Sequence, residues 1–532
     1  MAVAGETENK RDWKKRESFS SAMLQIALVA IVLVGAVFFV FKRNERKTKV
    51  AEGLKEAKNL AVRDNAADLQ KALKQIDGVL EVDSSSADAL AMAADLHTQL
   101  WLVHKIPGED SKAKDFLARA ESADSRSEDR FATKAIHLLA DGKVKDADSY
   151  IEDLRKQGAS SAKLWYAQAL AKQREGQLAL AREAFKQATD KAWKNARFSS
   201  SFAEAELDEG NLQIADDAVK KATGSNPEHI KARLMQSLLA LYAKNGVAAK
   251  QASDTINELN SADLTPGMKA LNLAAAAELA IFEGKYDDAL KFANDALAAN
   301  PDEHFALFAK AKALGWKKDP GAMDAFKAAI AARPTAPLIY IDGAALLQAA
   351  GNGQGAMALL DSYEQTFKDV QVAVAGAEGK SEPVLDRDDR YWIARGDVLH
   401  AAGKDDEAIA AYDKAIAAKS VLNGRAWYAK GQLFLAKKDY DKAKEALMVV
   451  ATDDGAGLLP EAYMAMGDLL FATKEYAAGC QHYGFALSRF RALQAPREKM
   501  NGILDDVQKR LVAANQKPMA KAWMDEGKAL IQ

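Results

Sequence analysis

Cys480 is the single cysteine among 532 residues. An intrachain disulfide is thereby excluded, as is any cysteine-rich metal or redox motif. The compartment stays open, because a cysteine-poor chain suits the cytosol and an oxidising space equally. A surplus of charge is also missing: 73 Lys plus Arg face 75 Asp plus Glu, a net charge of −2. That balance points neither to nucleic acid nor to a strongly acidic partner. Local signatures of catalysis are absent too, with no H-E-x-x-H, no calcium loop and no G-x-S-x-G. Gly379-Lys380-Ser381 has the ending of a phosphate-binding loop, but the first glycine of that motif would fall on Val374, and no strand-to-helix frame surrounds it. Gly351-Asn352-Gly353-Gln354-Gly355 reads as a turn between helices. His97 and His104 are seven apart on one helical pattern and read as packed or solvated residues, not as a metal site. No catalytic residue, cofactor or metal is expected.

What the chain has is a repeat. From Asp389 to Ala418 the pattern is two short helices around a turn: Trp392, Gly396 and Leu399 share one face, Gly403-Lys404-Asp405 is the break, and Ala408, Tyr412 and Ala415 form the facing stripe. Small residues stand where the two helices must approach closely. The Trp392 position recurs at Trp427 and Tyr463, steps of 35 and 36, with Gly431 and Gly467 four residues later. Toward the N-terminus, Phe131, Trp165, Ser199 and Arg233 are spaced by 34, and Gly142-Lys143, Gly176-Gln177 and Gly210-Asn211 mark the breaks. Gly284-Lys285-Tyr286-Asp287-Asp288-Ala289, closing at Asn300-Pro301, is another unit, and Pro227 and Pro334 close theirs. This series resembles the tetratricopeptide repeat, a 34-residue helix–turn–helix with the signature W-x2-L-G-x2-Y, A-x3-F, P. Gly396, Ala408, Tyr412 and Ala415 match it, whereas Arg395, Leu399 and Ser420 depart from it. About eleven units fit between Leu90 and Leu487, some degenerate. The resemblance implies an all-α, right-handed solenoid whose units contact mainly their neighbours.

Ala22 to Phe41 is a 20-residue apolar run interrupted only by Gln25 and stopped by Lys42-Arg43. At about 1.5 Å per residue it spans roughly 30 Å, the thickness of a bilayer's hydrocarbon core. It exceeds a signal-peptide core and no A-x-A site follows, so it reads as one transmembrane helix. A lipoprotein is excluded because no cysteine lies near the run. The short basic leader (Lys10, Arg11, Lys14, Lys15, Arg16) is the arrangement of an uncleaved signal-anchor, which would export the repeats from the inner membrane to the periplasm. The larger count of basic residues after the run, Lys42 to Lys58, points instead to a cytoplasmic array. The expected organisation is a polar tail (1–21), the membrane helix (22–41), a juxtamembrane helix (42–65), a front array (66–366), an insertion where period fails (367–388), a back array (389–490) and capping helices (491–532). A further insertion, Lys105 to Lys112, places a long turn in the second unit.

Trp165, Trp392 and Trp427 recur at the position that packs within a unit, so they read as core; a nucleic-acid stacking platform would need interleaved basic residues. In the family, set positions of each first helix line the inner face where partner segments lie. Carried onto the three regular back units, these are Arg390, Ile393, Asp397 and His400; Arg425, Tyr428, Gln432 and Leu435; Glu461, Met464, Asp468 and Phe471. Of these, Asp397, His400, Tyr428, Gln432, Met464, Asp468 and Phe471 are the candidate partner-binding residues. Ile393, Tyr428 and Met464 stand where a carboxylate-clamp lysine would be, which argues against recognition of a chaperone's acidic tail. The resemblance implies a non-enzymatic scaffold binding other proteins of a membrane-associated complex, with no nucleic acid. Proteins of this layout resemble components of secretion, pilus, gliding-motility and envelope-assembly machines; the alternative is an accessory protein that tethers a soluble enzyme to the membrane.

Overall fold

The computed structural model describes residues 11–123, 126–260, 263–373, 381–418, 423–451 and 459–531, apart from the side chains of 11–22, 372–373 and 423. Val374, Gly379, Lys380 and Ser420, singled out in the sequence, lie outside these residues. Among the described residues there are 26 α-helices, 22 of which, from Ala87 to Ala492, make eleven successive pairs. One pair precedes them (Arg11–Ala61 with Ala66–Val82) and one follows (Arg497–Ala513 with Lys517–Ile531).

Each pair closes over its small residues. A Cβ on Gly396 would lie 2.4 Å from the Tyr412 ring, one on Gly431 2.6 Å from Leu447, and one on Gly467 2.7 Å from Tyr483. The recurring glycine is therefore a spacing device, since any larger side chain would push the second helix away. The breaks are left-handed C-terminal caps. Gly142 has φ 76° and Gly210 φ 76°, and after each glycine the next N–H turns back into the helix, Lys143 N to Leu138 O at 2.9 Å and Asn211 N to Glu206 O at 2.8 Å. Where glycine is missing, lysine holds the same left-handed position, at Lys244, Lys318, Lys438 and Lys474.

Trp392 is 8% exposed and its Nε1 donates to Leu385 O at 2.7 Å. Trp165 and Trp427 correct the reading of all three as core, because both are only half-buried. One residue along a helix rotates the side chain by about 100°. Next to Trp165 it is Tyr166 that enters the core, at 6% exposure, while the Trp165 ring lies under the Arg155 guanidinium at 3.2 Å.

The helix containing the apolar run is unbroken from Arg11 to Ala61. Its middle is exposed all round, Ile31 at 70% and Val34 at 69%, and this is one helix long and apolar enough to cross a membrane. Its last turns pack on the array, Ala57 against a cluster with Leu69, Ala72 and Ile76.

The front units wind tightly enough to touch one turn later. His229 Nε2 meets Asp64 Oδ2 at 3.1 Å and Asn226 Nδ2 donates to Arg63 O at 2.8 Å. Gly267 N donates to His104 O at 3.0 Å, and His104 Nδ1 meets Thr265 Oγ1 at 3.1 Å. The Lys105 to Lys112 insertion thus leaves only a short turn before the helix resumes at Glu109, and that turn supplies the seam contact. Farther on, the break holds a small antiparallel hairpin, Gln371–Ala373 with Ser381–Pro383, Val372 opposite Glu382. Helices on its two sides pack directly: the Tyr363 and Tyr391 rings are 5.2 Å apart, and Arg395 Nη1 is 2.9 Å from Asp361.

Two opposite stability changes follow. Trp392→Ala should destabilise by about 3–5 kcal/mol, the range for truncating a large buried aromatic. Lys438→Gly should stabilise by about 0.5–1 kcal/mol, by relieving a left-handed Cβ. Chemical denaturation of the purified chain measures both.

Candidate functional site

Two concave places face the inside of the solenoid. The first is built by the front units. Six first helices, Ala87–Leu102, Glu128–Ala140, Ala162–Arg174, Ala196–Asp208, Ile230–Tyr242 and Pro266–Phe282, stand around a cavity of about 670 Å3, joined by the turn before His304 and by Arg333. Trp101, Tyr166, Met235 and Met268 supply apolar wall. Its charged residues are Lys105, Arg174, Arg197, Lys231 and Arg333 against Glu204, Asp302 and Glu303.

Most of these charges are used. Lys231 Nζ is 2.6 Å from Glu204 Oε2, and Arg333 reaches Asp208 at 2.8 Å and Glu204 at 3.2 Å. Burial pushes the Glu204 carboxyl up, but Lys231, Arg333 and His304 outweigh it and hold it down at about 2. Glu204, Asp208 and His304 could converge on a metal, their ligand atoms lying within 4.8 Å of one another, but Arg333 already bridges both carboxylates, so the arrangement is an ion-pair network. Asp95 is 2% exposed and lies 2.7 Å from Lys163 and 3.8 Å from Arg197. Burial raises its carboxyl, and those two cations more than reverse the effect. Arg174 differs: it is exposed, it donates to the Leu139 carbonyl, and no ion pair reaches it among the described residues. Desolvation, and then the neighbouring Arg333, lower its affinity for its proton.

The composition of this wall had a sequence signal that reading for core positions passed over. Lys163, Arg197 and Lys231 follow one another at 34-residue spacing. They are one repeat position on three successive first helices; Arg197 and Lys231 line the cavity, and Lys163 pairs with Asp95 and Asp129 beside it.

The second concavity is a groove of about 420 Å3 in the back units. Ile341, Ile393 and Val398 give it apolar surface, and Asp342, Arg390, Asp397 and Arg425 give it charge. Asp397 accepts from Tyr412 Oη at 2.8 Å and from Arg425 at 3.3 Å. Of the seven candidate partner-binding residues, only Asp397 lines this groove. His400 is exposed, with Nδ1 2.9 Å from Asp405. Gln432 Nε2 donates to Tyr428 Oη at 3.1 Å, and both are half-buried on the next first helix. Met464 is half-buried; Asp468 is engaged by Arg510 Nη1 at 2.6 Å, from the C-terminal pair. Phe471 corrects the expectation of an accessible ring. It is 8% exposed, edge-on to Tyr476 and Tyr483, fitted against Gly479, and covered by the Arg510 guanidinium at 4.7 Å. The capping helix that the last apolar face requires is what closes over it. His97 and His104 are both buried, His97 paired with Glu109 and stacked on Phe116.

A family model of the tetratricopeptide repeat matches residues 133–196, 380–423 and 393–457. The chain carries tetratricopeptide repeats. Among solved structures it is similar to the human IFIT1 dimer with PPP-AAAA, at 16% identity over 75% of this chain and 90% of that one, TM-score 0.42. It is also similar to the APC/C hetero-tetramer Cut9-Hcn1, at 14% identity over 88% and 96%, TM-score 0.35. A tetratricopeptide repeat protein from Parabacteroides merdae is 19% identical over 56% of this chain and 94% of that one, TM-score 0.28. No curated protein matches.

Beside the front cavity of this repeat protein, His137 Nε2 meets Thr98 Oγ1 at 2.8 Å and its ring is edge-on to Trp101. Burial, then Lys114, push the imidazole down to about 4, against smaller opposing effects of Asp141, Asp95 and Glu121. The unfolded chain takes up this proton near pH 6.5 and the folded chain refuses it until about 4, so stability is lost as pH falls through that window, by up to about 3 kcal/mol. His304 works the other way. Although burial opposes it, Asp208 raises its value, so its contribution is complete below the unfolded value and is lost as pH rises through the folded one. Thermal unfolding from pH 7 to pH 4.5 should therefore show a steeper loss in wild type than in His137→Asn.

Proposed function

We propose that this is a non-enzymatic, single-pass membrane scaffold that holds partner proteins on the concave surface of its repeat array. The observation that carries the reading is the one uninterrupted helix that begins with the apolar run and ends packed on the first unit. A tether of this kind fixes the array close to the bilayer, with no flexible linker between anchor and binding surface. In this reading residues 22–41 cross the inner membrane of a bacterial-type envelope, the array lies on the periplasmic side, and the protein is a component of an envelope-spanning machine for secretion, pilus assembly, gliding motility or envelope assembly.

The back groove suits a protein partner. Its apolar residues supply burial and its charged rim orients a helix or extended segment, the usual division of labour in groove recognition. Asp342 and Arg425 are both exposed, so they are available without unfolding the unit. Tyr428, Gln432 and Met464, half-buried on the neighbouring helices, extend the same contact.

Deleting residues 1–44 should give a soluble, folded helical protein, because the units bury their own apolar faces. Circular dichroism and sedimentation check this, and a truncated chain that aggregates would make the leader part of the fold. Protease added to spheroplasts should digest the array; protection there, with digestion after lysis, would place it in the cytoplasm. Asp342→Lys with Arg425→Glu should remove a co-purifying protein while leaving the melting temperature near wild type, since the exposed Arg425–Asp397 pair contributes roughly 1 kcal/mol or less. Retention of every co-purifying protein by that folded variant would exclude the groove.

A further inference from the structure

The front cavity and the back groove differ in what they admit. A helix with its side chains is about 10–12 Å across. The front ring is shut along its seam by His229 with Asp64, by Gly267 with the His104 carbonyl, and by His104 with Thr265. What remains inside is about 670 Å3, within the usual range of roughly 300–1,000 Å3 for small-molecule pockets. A compact ligand fits this space.

Charge says which ligand. Five basic side chains face three acidic ones on the wall, and the strongest acid, Glu204, is shared by Lys231 and Arg333. Arg197 is 6% exposed, and its Nε has no hydrogen-bond partner. Among the described residues its one ion pair is the long one to Asp95, 3.8 Å from Nη1, and its guanidinium lies over the Tyr166 ring at 4.8 Å. Arg174 is exposed at the cavity and donates to the Leu139 carbonyl. A buried N–H is ordinarily satisfied within the fold. Here the buried Arg197 Nε is left over on the cavity wall, beside Arg174, Lys231 and Arg333. Guanidinium forks favour planar or tetrahedral oxygen anions, with which they form paired charge-assisted hydrogen bonds.

We propose that the front cavity binds a small, multiply charged oxyanion, a polycarboxylate or a phosphate compound, through Arg174 and Arg197 with Lys231 and Arg333 beside them. The apolar wall of Trp101, Met235 and Met268 contacts any uncharged body that the ligand carries. Such a ligand ties together six first helices and tightens the winding of the front array, at a site separate from the back groove.

Calorimetric titration of the full chain in detergent micelles, at constant ionic strength, tests this with pyrophosphate and, separately, with citrate. Saturable one-site binding of either supports the site, and which of the two binds distinguishes a phosphate ligand from a carboxylate one. Arg174→Gln should weaken that binding about tenfold or more, the loss of one charge-assisted interaction, while Arg174→Lys keeps part of it. In the unsubstituted chain, phenylglyoxal labelling of Arg174, followed by mass spectrometry, should slow when the anion is present. No saturable heat with either anion, affinity unchanged in Arg174→Gln, or labelling that ignores the anion would each overturn the proposal.

Discussion

Two helices in each unit lie so close that there is no space for a methyl group between them at Gly396, Gly431 and Gly467. That spacing is the constraint from which the rest of the architecture follows. It holds each pair as a rigid block, buries the tyrosine or leucine of the second helix, and leaves the first helix free to face inward. Repeated with small offsets, rigid blocks accumulate rotation, and the sign and size of that rotation decide what the inner surface becomes. In the front units the rotation brings the chain back onto itself within about five repeats. Asp64 and His229 then meet as a buried pair, although 165 residues separate them.

Closure changes the physics of the inner face. In the back units charged residues such as Arg425 keep contact with solvent, where their pairing is worth little. In the front units the same repeat positions are turned into an interior. Charges there must be paired or left in an environment that raises the cost of being unpaired. The outcome is the Glu204–Lys231–Arg333–Asp208–His304 network, with Arg174 and the Arg197 Nε outside it. The two halves of the array therefore offer different chemistry from one repeat design: an apolar, charge-rimmed groove, and a cavity with a basic lining.

The ends are governed by the same need to cover an apolar face. At the N-terminus the covering element is the helix from Arg11 to Ala61, whose other half is exposed and long and apolar enough to cross a membrane. At the C-terminus it is the pair from Arg497 to Ile531, which places Arg510 over Phe471 and Asp468. Covering elements of this kind take residues away from the binding surface, so the last unit of a solenoid is a poor place to look for partner contacts.

The sequence alone determined the helical repeat, its eleven units, the apolar run and the capping helices. These rest on local facts: a period, a glycine at a turn, a small residue where helices cross, a stretch of the right length and polarity. Finer placement did not follow. Trp165 and Trp427 belong to the right helix face by count but are only half-buried, because a rotation of one residue exchanges them with their neighbours, and degenerate units do not fix that rotation. Phe471 occupies an inner-face position by register, but Tyr476, Tyr483 and Gly479 of its own unit, with Arg510 of the C-terminal pair over it, make it core. The basic ladder Lys163, Arg197 and Lys231 was present in the 34-residue spacing, yet nothing local distinguishes a solvated stripe from the wall of a chamber. That distinction depends on whether the superhelix closes, which is the sum of many small inter-unit angles and of contacts between residues some 160 apart in the chain, and such a sum is decided by tertiary packing.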